Sequence, residues 1–266
     1  MVNCQYKSTF ILQTIIPWRS IACNSAGTKL IAAIESNHVY TSNDSAINWT
    51  QQNIVGVTTA DWRSVTMDAS GDILLACGNF SGTINLSLNG GITWNQVTTQ
   101  TGWRCVAVSK NAQHMIAVRT SNALVSHDGG TSWSNISIAS STLLTCCIDN
   151  NGNAYVGGNG STSRRLTYNS STGVTTLGTI LSITNVYAMA CSADGQKVVI
   201  VNQLADANAS VLISTDGGGS FTDYQSQINT QCGTIVGWKT CAISGDGTKI
   251  VLGQGNNIGN IIILTI

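Results

Sequence analysis

The most regular feature of this chain is a succession of short apolar runs separated by clusters of Gly, Asn, Ser and Asp. Between residues 103 and 138, for example, the runs WRCVAVS, HMIAV, ALVS and SWSNISI follow one another. The runs hold four to seven residues and are rich in Val, Ile, Thr and Ala, which is typical of β-strands. No segment of helical length repeats its apolar residues every three to four positions. The pattern therefore predicts an all-β protein.

The tryptophans show that these runs belong to a repeat. Four of the seven open a run, at Trp18, Trp62, Trp103 and Trp238. The other three end a turn, in SNDSAINW (42–49), SLNGGITW (87–94) and SHDGGTSW (126–133). A fourth turn of this kind, STDGGGSF (214–221), ends in Phe221.

The spacing of the repeats indicates the architecture. The repeats open near Trp18, Trp62, Trp103, Leu143, Val186 and Trp238, in steps of 44, 41, 40, 43 and 52 residues. A period of about 40–45 residues with several strands is typical of β-propeller blades. We therefore expect a six-bladed β-propeller with four antiparallel strands per blade, and one domain spanning 1–266. The predicted blades lie near 18–61, 62–102, 103–142, 143–185, 186–237 and 238–266.

The two ends of the sequence complement each other. The last repeat stops after its third strand, NIIILTI (260–266), whereas an additional strand, STFILQTI (8–15), precedes the first repeat. We expect residues 8–15 to pair with residues 260–266 and so to close the last blade.

The turn Ser-x-Asp-x-Gly-x-Thr-Trp resembles the Asp-box, or bacterial neuraminidase repeat, of sialidases, sortilin-type receptors, some glucanases and photosystem assembly factors. The third copy fits fully, whereas Ala46 replaces Gly, Asn89 replaces Asp and Phe221 replaces Trp in the others. The resemblance implies an Asp-box propeller whose boxes are structural and lie opposite the usual active site. The box residues are Ser42, Asp44, Trp49, Ser87, Asn89, Trp94, Ser126, Asp128, Trp133, Ser214, Asp216 and Phe221.

The low content of charged residues limits the classes of partner that we expect this protein to bind. Twelve basic and twelve acidic residues give a net charge of zero, and only 9% of the residues are charged, against about 25% in ordinary domains. Nucleic-acid binding and electrostatic membrane docking need basic surfaces, so neither is expected. A weakly charged, polar surface is compatible with a glycan, a protein partner or self-association.

One charged position repeats. Arg19, Arg63, Arg104 and Lys239 each follow a tryptophan that opens a repeat. In the family that the boxes resemble, this strand is innermost, which implies a ring of cations at the ligand face. The ring could receive an anion such as a carboxylate or sulfate. The alternative, which we favour, is that each cation stacks on aromatic rings or bonds loop carbonyls between blades.

Catalysis is a further alternative. A sialidase-like glycoside hydrolase would need an arginine triad, a tyrosine nucleophile activated by a glutamate, and an aspartate acid/base. The chain has one glutamate, Glu35, and two aspartates outside predicted turns that could join it, Asp61 and Asp206. The three lie on different loops and the family's Arg-Ile-Pro signature is missing, so we lean against an enzyme.

Metal and cofactor sites are not expected. The nine cysteines show no CxxC spacing, and there are only three histidines. Most cysteines fall in predicted first strands, and thiols buried there favour an intracellular or virion-like setting. The many Asn-x-Ser/Thr sequons leave secretion open. The sequence offers neither a convincing signal peptide nor an apolar run long enough to span a membrane.

These observations together predict a non-catalytic, rigid propeller that mediates protein–protein interaction or assembly, with no cofactor. A carbohydrate-binding propeller is the alternative, because Asn residues and Phe80 follow the predicted second strands.

Overall fold

The computed structural model describes residues 18–54, 60–79, 82–139, 142–160, 163–204, 208–233, 237–255 and 261–266. Its contacts divide the chain into two compact parts. We refer to residues 12–139 as the first half and to the part that includes residues 140–266 as the second half.

The described part of the first half consists of antiparallel strands. They are β1 (Trp18–Cys23), β2 (Leu30–Asn37), β3 (Val39–Ser42), β4 (Thr50–Gln51), β5 (Ala60–Met67), β6 (Leu74–Gly78), β7 (Ile84–Ser87), β8 (Asn95–Thr98), β9 (Trp103–Val108), β10 (Met115–Arg119), β11 (Asn122–Ser126) and β12 (Ser134–Ser137). Strands β9 to β12 form one four-stranded sheet. Strands β1 to β8 form one eight-stranded sheet because the end of β2 pairs with the start of β5.

The described part of the second half repeats the pattern and adds a helix. Its elements are β13 (Leu143–Ile148), β14 (Ala154–Gly158), β15 (Arg164–Asn169), β16 (Val174–Ile180), β17 (Val186–Cys191), β18 (Val198–Leu204), β19 (Asn208–Ser214), β20 (Thr222–Asp223), α1 (Gln225–Cys232), β21 (Trp238–Ile243), β22 (Lys249–Gln254) and β23 (Ile261–Thr265). Strands β13 to β16 and β17 to β20 form two four-stranded sheets in chain order, and β21 to β23 form a three-stranded sheet.

The second strand of each repeat supplies much of the core. β6 (LLACG) and β14 (AYVGG) are buried at every position, and they pack against β9 and β17, the first strands of the following repeats. The indoles of Trp62, Trp103 and Trp238 are also buried, whereas Trp18 is 47% exposed. Apolar side chains on both faces of the middle strands therefore hold consecutive sheets together within each half.

Backbone hydrogen bonds between turns also join consecutive sheets. In the first half the Ser25 amide donates to the Ala69 carbonyl (3.1 Å), and the Ala69 amide donates to the Lys110 carbonyl (3.2 Å). In the second half the Asn150 amide donates to Ala193 (2.9 Å), and the Ala193 amide donates to Gly245 (2.8 Å). Equivalent turns thus meet one repeat apart, so the sequence period is also a structural period.

The predicted all-β, propeller-like arrangement is confirmed. The number of blades and the single domain remain predictions. Residues 8–15 lie outside the described residues, and β23 is the third strand that was expected in the last repeat.

The expectation that no helix would form was wrong at one place. Helix α1 lies between β20 and β21, within the longest step of 52 residues. Its sequence, QSQINTQC, buries only Ile228, so it carries no amphipathic signal.

Candidate functional site

The four predicted box turns share one hydrogen-bond network. In each turn the serine hydroxyl donates to the Asp or Asn Oδ1 two residues later, over 2.8, 3.0, 2.8 and 2.7 Å in chain order. The serine oxygen also accepts the amide of the residue four positions on, and the Oδ1 atom accepts the amide four positions after itself. Short polar side chains therefore satisfy the backbone donors of the turn.

These hydrogen bonds also act on the box carboxylates. Burial opposes ionisation of Asp128, but hydrogen bonds from Ser132 and Ser126 outweigh it and lower its pKa to about 2. The backbone amide of Ser220 and the hydroxyls of Ser214 and Ser220 lower the pKa of Asp216. The box carboxylates are thus engaged within their own turns.

The aromatic residues that end the boxes pack inward or bond nearby groups. Trp94 is buried in the first-half core and its Nε1 donates to the Gln52 side chain (3.4 Å). Trp133 Nε1 donates to the Gly130 carbonyl of its own turn (3.1 Å), and Phe221 packs against a second-half core cluster. Trp49 lies beside the ring of Trp18, with their centroids 5.9 Å apart.

A β-bulge occurs at the same position in the first strand of all six repeats. The register of each first strand skips the residue after its opening residue, so that residue has no cross-strand partner. The bulge residues are Arg19, Arg63, Arg104, Leu144, Tyr187 and Lys239. Because a bulge changes the direction of a side chain, these six side chains leave the strands in an equivalent way.

Two bulge arginines are paired with the candidate catalytic acids. The Arg19 guanidinium donates to Glu35 over 2.5 Å, and the Arg63 guanidinium donates to Asp61 over 2.9 Å. Glu35 and Asp61 are themselves register partners on β2 and β5. The hydrogen bond that Arg19 donates to Glu35, followed by the charges of Glu35 and Asp61, raises the pKa of Arg19 although burial opposes the shift. Asp206, the third candidate acid, lies outside the described residues.

The remaining two cations have other surroundings. Lys239 Nζ lies 4.0 Å from the ring centroid of Tyr187, the bulge residue of the preceding repeat. In the described part of the chain no carboxylate forms an ion pair with Arg104, and its buried Nε has no hydrogen-bond partner. The sequence pattern therefore found four of the six bulge positions, and it missed Leu144 and Tyr187 because they carry no charge.

The described cysteines differ in whether they form a disulfide, and one of them does. Among the described residues Cys23, Cys77, Cys105, Cys146, Cys147, Cys191 and Cys241 form no disulfide. Burial raises the pKa of Cys241 to about 12, so its thiol is inert near neutral pH. Cys232, in contrast, is disulfide-bonded, which the prediction of buried, reduced thiols in the first strands did not cover. No short-range cysteine spacing in the sequence indicates this bond.

The described residues offer neither a metal-binding cluster nor a membrane-spanning helix. They contain no group of three or more His, Cys, Asp or Glu side chains that could hold a metal ion. None of their helices is long and apolar enough to cross a membrane.

Comparisons with known proteins identify the fold. No family model matches the sequence, and no curated protein is significantly similar to it. Solved structures match over most of the chain, and the neighbours are β-propeller proteins. The fold of this chain is that of the β-propellers.

Three of these structures show how far the likeness extends. YCF48 bound to D1 peptide is 14% identical, with a TM-score of 0.62, over 98% of this chain and 81% of that one. The Myceliophteria thermophila Cps50 (Swd1) propeller domain is 12% identical, with a TM-score of 0.68, over 94% and 82%. An ancestral GH74 enzyme is 16% identical, with a TM-score of 0.66, over 96% of this chain but 39% of its own. At these identities the likeness shows the fold alone.

Proposed function

We propose that this protein is a non-catalytic β-propeller module that binds a protein partner through the bulge residues of its first half. We define this bulge surface as Arg19, Glu35, Asp61, Arg63 and Arg104. This surface has three guanidinium groups and two carboxylates, so one positive charge is left over. The carboxylates form ion pairs with Arg19 and Arg63, and the remaining charge is therefore that of Arg104. This unbalanced, partly buried guanidinium is the observation that carries the proposal.

Physical chemistry favours an external partner for Arg104. Arg104 is only partly buried and forms no ion pair within the described residues, and a hydrogen bond from a guanidinium to a carboxylate or carbonyl of a bound peptide contributes about 1.5–3 kcal/mol. The structure of a propeller bound to a peptide, that of YCF48, supports a role of this kind. A second copy of this chain is included among the protein partners.

The ion pairs argue against the sialidase-like alternative. Glycoside hydrolysis needs one carboxyl group that protonates the leaving group and another that acts as nucleophile or base. Glu35 and Asp61 instead each form an ion pair with an arginine guanidinium. We therefore expect no release of reducing sugar from xyloglucan oligosaccharides or sialyllactose. Release that is abolished by Glu35→Gln would contradict the non-catalytic assignment.

The proposal includes the finer architecture. We propose six blades, with residues 8–15 supplying the missing strand of the last one, and Asp-box turns as the structural corners. The shared hydrogen-bond network of the four turns supports the Asp-box assignment. The described three-stranded sheet of β21, β22 and β23 supports a further strand from elsewhere.

A peptide-display selection on the purified full chain tests the partner-binding role. We expect enriched peptides to contain a carboxylate, and Arg104→Gln to weaken their binding about tenfold, a loss of about 1.4 kcal/mol. Lys110→Gln is the matched control, because it removes one positive charge beyond the far end of β9 and should leave binding unchanged. Light scattering on the same protein shows whether the partner is a second copy.

Two results would contradict the role. One is a selection that enriches no peptide. The other is equal binding of the enriched peptides by Arg104→Gln and Lys110→Gln.

A further inference from the structure

Within the described residues, the longest repeat contains a helix that the other repeats lack. The step from Val186 to Trp238 contains α1, and beside α1 lies a cavity of about 530 Å³. This volume falls within the range of about 300–1,000 Å³ that is usual for small-molecule sites. Insertions in a single repeat commonly carry the binding function of repeat proteins.

The helix wall of this cavity is held firmly. Ile228 is fully buried in the core cluster of the last two sheets. Gln225 Oε1 accepts a hydrogen bond from the Trp238 indole over 2.8 Å, and Cys232 at the other end is disulfide-bonded. Anchors in the first turn, in the middle and at the last residue make the wall pre-formed rather than dependent on a ligand.

The cavity walls come from α1, the fourth box turn, the end of β23 and the turn before β18, which contributes Lys197. Helix α1 contributes Gln227, Thr230 and Gln231, which lie three and four residues apart and so share one face. Thr215 of the fourth box turn and Thr265 at the end of β23 form further walls, and Tyr224 lies at the start of the helix.

The chemistry of these walls selects a class of ligand. They present hydroxyl and amide groups, which both donate and accept hydrogen bonds, together with the Tyr224 ring and the aliphatic side chain of Ile266. The single lining cation, Lys197, already donates to the Gly247 carbonyl over 3.0 Å. No carboxylate side chain lines the cavity in the described residues. A neutral ligand with many hydroxyl groups matches this set better than a charged one.

We propose that this cavity, which we name the α1 cavity, binds a neutral saccharide of one or two sugar units. Amides of Gln227 and Gln231 bond the sugar hydroxyls, and the hydroxyls of Thr215 and Thr265 bond them from the facing walls. The Tyr224 ring packs against sugar C–H groups. The site lies in the second half and is independent of the bulge surface.

The test is an NMR titration of the full chain, labelled with ¹⁵N, against a panel of neutral sugars. The panel contains glucose, galactose, mannose, N-acetylglucosamine and their disaccharides, and glucuronic acid is the charged comparison. We expect at least one neutral sugar to give saturable shifts at the Thr215, Gln227 and Gln231 amides. Glucuronic acid should bind less tightly than that sugar.

Variants assign the binding to the cavity. Gln227→Ala with Gln231→Ala removes two amides from an exposed helix face, and alanine favours helix, so the fold is kept. The loss of two hydrogen bonds to the sugar should lower its affinity about tenfold or more. Gln96→Ala with Gln113→Ala, two exposed glutamines of the first half, is the control and should bind normally. Arg104→Gln should also bind normally.

Three results would overturn the saccharide proposal. The first is the absence of saturable shifts for every neutral sugar. The second is equal affinity of the two double variants, and the third is tighter binding of glucuronic acid. None of these results bears on the peptide selection, so the two proposals fail separately.

Discussion

At the scale of single residues, two histidines form a pair that responds to pH. His114 precedes β10 and His127 follows β11, and their Nδ1 atoms lie 2.8 Å apart. One ring donates and the other accepts, so protonating both would break the hydrogen bond. Burial, and then the charge of His114, lowers the pKa of His127 to about 4, although Asp128 opposes the shift.

The lowered pKa of His127 predicts that the folded protein loses stability on acidification. Because the pKa of His127 lies below its usual value of 6.5, the unfolded chain takes up this proton first as the pH falls. The free energy of unfolding should therefore decrease between pH 6.5 and 4, by about 1–2 kcal/mol once solvent screening of this partly exposed ring is allowed for. Urea unfolding at pH 7 and 4.5 measures the decrease.

A histidine variant provides the control for this prediction. His127→Gln should lose less stability than the unmodified chain over the same interval. The unfolded chain protonates Asp128 near its usual pKa of 3.8, which lies below the chosen window, so that carboxylate contributes little to the measured loss. Equal losses in the two proteins would show that His127 is not the responsible group.

At the scale of elements, Ile228 is the apolar anchor of α1 on the sheets. Ile228 is its single buried residue and packs with Val211, Trp238 and Ile262. Ile228→Ala should lower the free energy of unfolding by about 2–4 kcal/mol, through lost burial and the cavity left behind. Ser226→Ala, at an exposed helix position, should change it by less than about 0.5 kcal/mol. Urea unfolding distinguishes the two, and a small effect of Ile228→Ala would mean that α1 is held by other contacts.

The elements also show how far the sequence could predict the structure. The box turns were visible because their hydrogen bonds need Ser and Asp or Asn at fixed spacing. Two of the six bulge positions were not visible, since a bulge accepts Leu144 and Tyr187 as readily as Arg63. Nor could the Arg19–Glu35 ion pair be predicted, because it depends on the pairing of β1 with β2 and not on sequence distance.

At the scale of the whole molecule, the last repeat is where the prediction can be tested most directly. The β21–β23 sheet has three described strands, whereas the sheets of β13–β16 and β17–β20 have four. β23 nevertheless carries buried Ile262 and Leu264, while Ile261 is 41% exposed. An apolar strand of this kind at a sheet edge is a liability unless another strand or segment covers it. The proposed cover is residues 8–15.

Deleting residues 1–15 should therefore lower the melting temperature by more than about ten degrees, because the edge of β23 would lose its pairing and its apolar cover. Deleting only residues 1–7 keeps the proposed strand and should have a much smaller effect. Calorimetry of both variants in reducing buffer removes the contribution of the disulfide at Cys232 from the comparison. If both deletion variants have the same melting temperature as the full chain, residues 8–15 do not complete the last blade. The fourth strand must then come from elsewhere or be absent.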